Sequence, residues 1–181
     1  INLSMLMNTR PYVWIDALWF QALWWLIALQ RDQAGLPILA LLLLHLMLFP
    51  QRRLALISAL LLAPLGYLTD VVWVQSQLLS FNSAYRVPLW MLGLWVGVIW
   101  SLSWSLHWLK HLAIYWQALI GALGAASSYY AAAQLGALQF ETTLWNSLFW
   151  ITVMWALLLP SLMYAMTYLE RRFMDVQTSI S

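Results

Sequence analysis

Two histidines of this chain have a spacing that suits chemistry. His107 and His111 lie four positions apart, one helical turn, so their imidazoles could share a metal ion or a proton path. A metal ion needs a third ligand, which His45 or Asp16 could supply. The alternative is that Lys110, between the two histidines, marks a helix end where basic and aromatic side chains meet lipid headgroups. We predict no metal site and no cofactor, and treat the three histidines and Asp16 as a candidate inner polar cluster.

A second group of polar and aromatic side chains centres on Asp70. Ionisable side chains inside apolar segments are costly and by default indicate function. A buried carboxylate beside tyrosine and amide donors could bind a lipid headgroup or move a proton. The alternative is structural, with Asp70 tying its helix to the two helices that follow. The members of this candidate outer pocket are Asp70, Trp90, Tyr129, Tyr130 and Gln134.

Composition assigns these residues to a membrane protein. Of the 181 residues, 64% are hydrophobic and 8% are charged, whereas a soluble domain has roughly 25% charged residues. The chain has no cysteine, which excludes disulfides and thiolate metal sites. Its eight Lys and Arg residues mark helix ends, so the net charge of +2 does not indicate nucleic-acid binding. The 14 tryptophans make the chain tryptophan-rich and fit contact with lipid.

The apolar runs predict an all-α fold in one domain, residues 1–181. A spanning helix needs about 20 apolar residues, and the chain offers six runs near that length. The result is a polytopic bundle of six transmembrane helices. They are expected at about 12–29, 36–50, 54–74, 88–108, 111–135 and 144–168.

The distribution of basic residues predicts the orientation of the bundle. An even number of crossings leaves both termini on one side, and the side richer in Lys and Arg is cytoplasmic. One side holds Arg10, Arg52, Arg53, Lys110, Arg171 and Arg172, and the other holds Arg31 and Arg86. Both termini are therefore predicted to be cytoplasmic.

Small residues at every fourth position predict which helices pack most closely. Because lipid is as apolar as leucine, membrane helices associate mainly through close backbone approach, which such stripes permit. We expect the fourth and fifth helices to form the tightest pair. The stripe of the fourth helix is Gly93, Gly97, Ser101 and Ser105, and that of the fifth is Gly124, Ser128, Ala132 and Gly136.

Four segments carry a resemblance to a known family. They are residues 66–70 (GYLTD), 87–95 (VPLWMLGLW), 105–109 (SLHWL) and 121–138 (GALGAASSYYAAAQLGAL). In this order and spacing the chain resembles domain of unknown function 2878, a family of small bacterial inner-membrane proteins. The resemblance implies a multi-pass protein of the inner (cytoplasmic) membrane. Relatives are often encoded beside proteins resembling cyclopropane-fatty-acid synthases and flavin-dependent oxidoreductases, which implies a role around membrane-lipid modification.

Three functions fit the sequence. The first is a noncatalytic lipid-binding or scaffold component, with membrane lipids, other membrane subunits or a second copy of the chain as partners. Scarce ionisable residues and abundant tryptophan favour it. The second is an intramembrane lipid-modifying enzyme that uses Asp70 with Tyr129, or the His and Asp residues of the inner cluster. The third is a small transporter or flippase acting as an oligomer, favoured by the proline-interrupted third and sixth helices.

A reporter fused to the C-terminus tests the predicted orientation. We expect it to behave as a cytoplasmic fusion, because the basic residues favour that side. Alkaline phosphatase activity of the same fusion would overturn the topology.

Overall fold

The computed structural model describes the backbone of residues 3–178 and the side chains of residues 11–173. The ends of the predicted domain, residues 1–2 and 179–181, and the side chain of Arg10 lie outside this part. Six α-helices occur in residues 3–178: α1 Leu3–Gln30, α2 Gly35–Leu48, α3 Arg52–Gln75, α4 Leu89–Ser103, α5 Ile114–Gln134 and α6 Leu144–Thr178. Short 3₁₀ helices cover Arg31–Ala34 and His107–His111, and two strands, β1 Leu79–Phe81 and β2 Leu138–Phe140, lie in the connections.

Among residues 11–173, three helical segments are long and apolar enough to cross a membrane. They are Pro11–Leu48, Arg52–Gln75 and Leu144–Phe173, and α4 is a shorter apolar helix. The first segment has 38 residues. As one straight helix it would measure about 57 Å, far more than the bilayer core of about 30 Å.

The first segment folds back on itself instead. Trp19 Nε1 donates to the carbonyl oxygen of Leu41 at 2.9 Å, and Asp16 Oδ1 lies 2.9 Å from His45 Nε2. As position rises on α1 the partner's position falls on α2, so the two helices are antiparallel. The turn between them is the polar segment Arg31–Ala34, where Arg31 adopts a left-handed backbone with φ of 52°.

Two helix pairs form the rest of the bundle, α3 with α4 and α5 with α6. Glycines permit both contacts. A Cβ added at Gly66 on α3 would lie 2.1 Å from the indole of Trp95 on α4. A Cβ at Gly121 on α5 would lie 2.7 Å from the carbonyl oxygen of Trp155 on α6. Neither approach leaves room for a side chain.

The expected tight pairing of the fourth and fifth helices is wrong. The stripe on α4 faces the first hairpin, because a Cβ at Gly93 would meet Ile38 and one at Gly97 would meet Leu23. The stripe on α5 faces a gap, since a Cβ at Gly124 has no atom within 4 Å. Small residues allow a second helix to approach closely, but they can also line an open space.

Two stripe residues lie beyond the ends of their helices in the structure. The fourth helix ends at Ser103 rather than at residue 108, so Ser105 lies beyond it. The fifth ends at Gln134, and Gly136 follows with φ of 72°. This left-handed conformation, which glycine adopts without steric cost, turns the chain into β2.

The small sheet departs from an all-α fold. The strands β1 and β2 are antiparallel, with Leu79 opposite Phe140 and Phe81 opposite Leu138. They join the connection after α3 to the connection after α5. We call the end of the bundle that carries this sheet and Arg31 the outer end. The end that carries residues 105–111 is the inner end.

Two glycine substitutions test the packing. Gly66→Ala should lower the stability of the protein by roughly 1–3 kcal/mol, because its Cβ overlaps the Trp95 ring. Gly124→Ala is the matched control and should leave stability unchanged or raise it by up to about 1 kcal/mol, through helix propensity. Thermal unfolding of both variants in detergent measures the difference. Equal midpoints would contradict the close contact of α3 and α4.

Candidate functional site

An apolar cavity of about 270 Å³ lies between α1, α4, α5 and α6. On α5 its wall runs from Ile120 to Ala132 and contains the small residues Gly124 and Ser128. At 1.5 Å per residue this wall is about 18 Å long, so the cavity is elongated along the helices. Three of the four stripe residues predicted to pack against α4, Gly124, Ser128 and Ala132, therefore line the cavity instead.

Aromatic side chains form much of the opposite wall. Phe20 and Trp24 come from α1, Trp90 and Trp95 from α4, and Trp155 from α6. Trp95 and Trp155 are stacked, with ring centroids 5.1 Å apart and an interplanar angle of 12°. Such rings give a wall with a large apolar area and little freedom to move.

The two ends of the cavity are lined by residues outside the long helices. Phe81 of β1 and Leu138 of β2 line its outer end. Leu106 and Leu109 line its inner end. The cavity therefore extends between the two ends of the bundle.

Asp70 lies behind the cavity wall and is fully buried. Its Oδ2 accepts a hydrogen bond from Trp95 Nε1 at 2.6 Å, and its Oδ1 accepts one from the Tyr129 hydroxyl at 2.6 Å. Both donors line the cavity, whereas Asp70 does not. From α3, one carboxylate thus fixes the orientation of a lining residue on α4 and another on α5.

The other members of the predicted outer pocket are not in contact with Asp70. Trp90 donates through Nε1 to Asp32 Oδ1 at 3.0 Å. Tyr130 is 43% exposed and Gln134 is also exposed. Consecutive helix positions point about 100° apart, so the face that places Tyr129 against Asp70 turns Tyr130 away. Of the five residues, Asp70 and Tyr129 are joined by a hydrogen bond, and Trp90 lines the same cavity as Tyr129, whereas the other two do not line it.

Asp32 organises the outer end, a role that the sequence analysis did not find. Besides Trp90, its carboxylate accepts hydrogen bonds from Ser83 Oγ at 2.7 Å and from the backbone N–H of Ala84 at 2.9 Å. The turn between α1 and α2 is thereby joined to the segment that leads into α4. The polar run around Asp32 was the available sequence signal for this role. A polar turn does not by itself reveal which residues its side chains contact.

Asp16 and His45 form a buried contact at the inner end. Asp16 Oδ1 lies 2.9 Å from His45 Nε2, and Asp16 Oδ2 accepts hydrogen bonds from the N–H and the hydroxyl of Ser105. Both Asp16 and His45 are almost completely buried, at 0% and 1% exposure. The His45 ring is stacked between Phe49 and Trp100. This cluster joins α1, α2 and the segment after α4.

His107 and His111 do not belong to that cluster. His107 contacts Lys110 and lies 3.6 Å from Glu170 Oε2, and Lys110 Nζ lies 3.5 Å from the same oxygen. The two histidines lie on the 3₁₀ helix, and their rings are in edge contact with centroids 6.3 Å apart. The single inner cluster is therefore two clusters. Within residues 11–173, no group of three His, Cys, Asp or Glu side chains is arranged to hold a metal ion.

The comparison with family models identifies the chain. The model described as "Protein of unknown function (DUF2878)" matches residues 13–161. The chain belongs to the DUF2878 family. No curated protein and no solved structure matches it. The family match confirms the resemblance found in the sequence.

In this DUF2878 protein, three of the four family-like segments meet at Asp70, and the fourth supplies Leu106 and Leu109 to the inner end of the cavity. Gly66 supports the Trp95 ring, and Asp70 binds both Trp95 and Tyr129. Tyr67 donates its hydroxyl to the carbonyl oxygen of Val87 at 2.8 Å, which joins the first segment to the second. Trp95 lies in the segment of residues 87–95, but nothing in the sequence indicated that it contacts Asp70.

Adjacent tyrosines provide a matched test of the Asp70 contacts. Tyr129→Phe removes one of two donors from a buried carboxylate and should cost about 2 kcal/mol of stability. Tyr130→Phe changes a side chain that is 43% exposed and should shift stability by less than about 0.5 kcal/mol. Thermal unfolding in detergent is the measurement. A similar effect of the two substitutions would rule out the Tyr129 hydroxyl as a special partner of Asp70.

Proposed function

We propose that this protein binds the apolar chain of a membrane lipid in the cavity between α1, α4, α5 and α6, without catalysing a reaction on it. The observation that carries the proposal is the cavity itself. Its volume of about 270 Å³ exceeds the roughly 150 Å³ of an apolar cavity that holds a benzene ring. Its length of about 18 Å suits an extended chain rather than a compact ring system.

The lining favours an apolar occupant over water. A buried water needs two to four polar partners. The Ser128 hydroxyl, which is among the few polar groups of the wall, already accepts a hydrogen bond from Trp24 Nε1 at 2.9 Å. The rest of the wall is dominated by aromatic, aliphatic and glycine residues. Filling such a space with hydrocarbon gains contacts that an empty cavity lacks.

The side of the cavity between α1 and α5 is a route for a chain to enter from the bilayer. These helices are not closely packed, and the Trp24–Ser128 hydrogen bond crosses the gap between them. Gly124 adds open space on the same side. A lipid chain would then reach the cavity laterally, without passing through water.

Noncatalytic binding fits the state of the carboxylates better than catalysis does. Both oxygens of Asp70 and both oxygens of Asp16 have partners within the protein. Neither residue lines the cavity. A catalytic carboxylate must reach the reacting group, and these two are turned toward the protein.

We infer further that all six helices cross the bacterial inner membrane with both termini in the cytoplasm. The antiparallel hairpin of α1 and α2 supports two crossings within the segment Pro11–Leu48. The greater number of basic residues on the inner end supports the orientation. A role as a scaffold or lipid-binding accessory in membrane-lipid modification is consistent with this placement.

Filling the cavity from Gly124 tests the proposed function. Gly124→Phe should reduce the lipid that stays with the purified protein by at least about tenfold, because its ring would occupy the cavity while its Cβ meets no atom within 4 Å. Gly35→Phe is the matched control, since Gly35 also has open space around an added Cβ but lies outside the cavity. Lipid is measured by native mass spectrometry after exhaustive detergent exchange. Equal retention by the native protein and both variants would refute the proposal.

A further inference from the structure

Arg31 lies at the outer rim of the cavity, between the ends of α1 and α5. Its Nη2 donates to the carbonyl oxygen of Leu135 at 2.8 Å and lies 3.0 Å from the position that a Cβ on Gly136 would take. The next residue, Ala137, lines the cavity, and so does Ala28, one helical turn before Arg31. The guanidinium is therefore placed where the cavity ends.

The charge of Arg31 has no acidic partner among the described side chains. None of the ion pairs in residues 11–173 includes it. The acids of the outer end are engaged elsewhere, with Asp32 holding Ser83, Ala84 and Trp90, and Glu141 holding Ser80. In addition, Arg31 Nε is buried without a hydrogen-bond partner. An unsatisfied donor of a charged group is costly, so the site is incomplete as it stands.

The backbone at Arg31 keeps the side chain in this place. Its φ of 52° is in the left-handed region, which L-residues other than glycine adopt at a cost of roughly 1–2 kcal/mol. Strained residues of this kind persist where the surrounding structure fixes them, and they concentrate at binding and catalytic sites. Here the neighbouring Asp32 anchors the turn through three hydrogen bonds.

We propose that Arg31 binds the anionic head of an amphiphile, a carboxylate or a phosphate, whose apolar chain occupies the cavity. The inference rests on the proposed lipid-binding function and assigns the class of ligand. A guanidinium presents parallel N–H donors that match two oxygens of a carboxylate or phosphate. Nη2 is held by Leu135, whereas Nε and Nη1 have no hydrogen-bond partner among the described residues. The head would then lie at the outer end while the chain extends along α5 toward the inner end.

A pair of brominated probes tests this proposal. Dibromostearic acid, ionised at the pH used, and the neutral dibromostearyl alcohol share a chain that quenches tryptophan fluorescence on contact, and tryptophans line the cavity. The cavity-specific quenching is the part that Gly124→Phe abolishes. The native protein should bind the acid about tenfold more tightly than the alcohol, the gain expected of a charge-assisted hydrogen bond.

Substitutions assign that preference to Arg31. Arg31→Gln should reduce the ratio of the two affinities to about one, and Arg31→Lys, which keeps the charge, should retain part of it. Arg86→Gln, which changes an exposed arginine of the outer end, should leave the ratio unchanged. Because acid and alcohol are compared within each variant, a loss of stability does not imitate the result. An unchanged ratio in Arg31→Gln would overturn the proposal and leave Arg31 as a cap of α5.

Further outcomes distinguish lipid-chain binding from head binding by Arg31, and a lipid head from a free anion. If both probes quench equally in the native protein, lipid-chain binding stands and the assignment to Arg31 fails. If neither probe gives cavity-specific quenching, the proposed function itself fails. Calorimetric titration with inorganic phosphate alone should show no binding. Binding of free phosphate that disappears in Arg31→Gln would assign the site to a soluble anion and overturn the lipid head.

Discussion

The bundle depends on a carboxylate that is removed from solvent, Asp70. It lies on α3 and receives hydrogen bonds from Trp95 on α4 and Tyr129 on α5. The first bond reinforces a pair of helices already in close contact, and the second joins that pair to the pair formed by α5 and α6. In an apolar interior a hydrogen bond is strong and an unpaired polar group is expensive. Two short bonds therefore constrain the relative position of two helix pairs.

The cavity results from the contacts that fix the position of α5. Its Gly121 face packs tightly on α6, and Tyr129 anchors it to Asp70, so its narrow stripe of small residues is left facing α1 and α4. Side chains too short to cross the gap leave a space there. Two hydrogen bonds cross it, one from Trp24 on α1 to Ser128 on α5 and one from Arg31, just after α1, to Leu135, just after α5. The same small residues that could have joined two helices thus form the wall of a cavity.

Asp16 repeats the principle at the inner end, where it joins α1 to His45 of α2 and to Ser105 after α4. The sequence indicates that both buried carboxylates are important, because ionisable groups in apolar segments are rare and costly. It also grouped Asp70 with Tyr129 in one candidate pocket and Asp16 with His45 in one candidate cluster. It could not separate His107 and His111 from that group, because the course of the chain toward them depends on where α4 ends, and apolar periodicity marks that end only loosely.

The sequence by itself determined a helical, membrane-compatible chain, its family and most helix positions, because hydropathy and helix length are local properties that each segment carries alone. The tertiary structure decided which helices pair, that small residues of α5 line a cavity, and that Arg31 and Asp32 lie at its outer end. These are properties of pairs of distant residues, such as Arg31 with Leu135 or Trp24 with Ser128. A small residue, a polar turn or a tryptophan is compatible with several neighbours, and only the packing of all the helices together selects one.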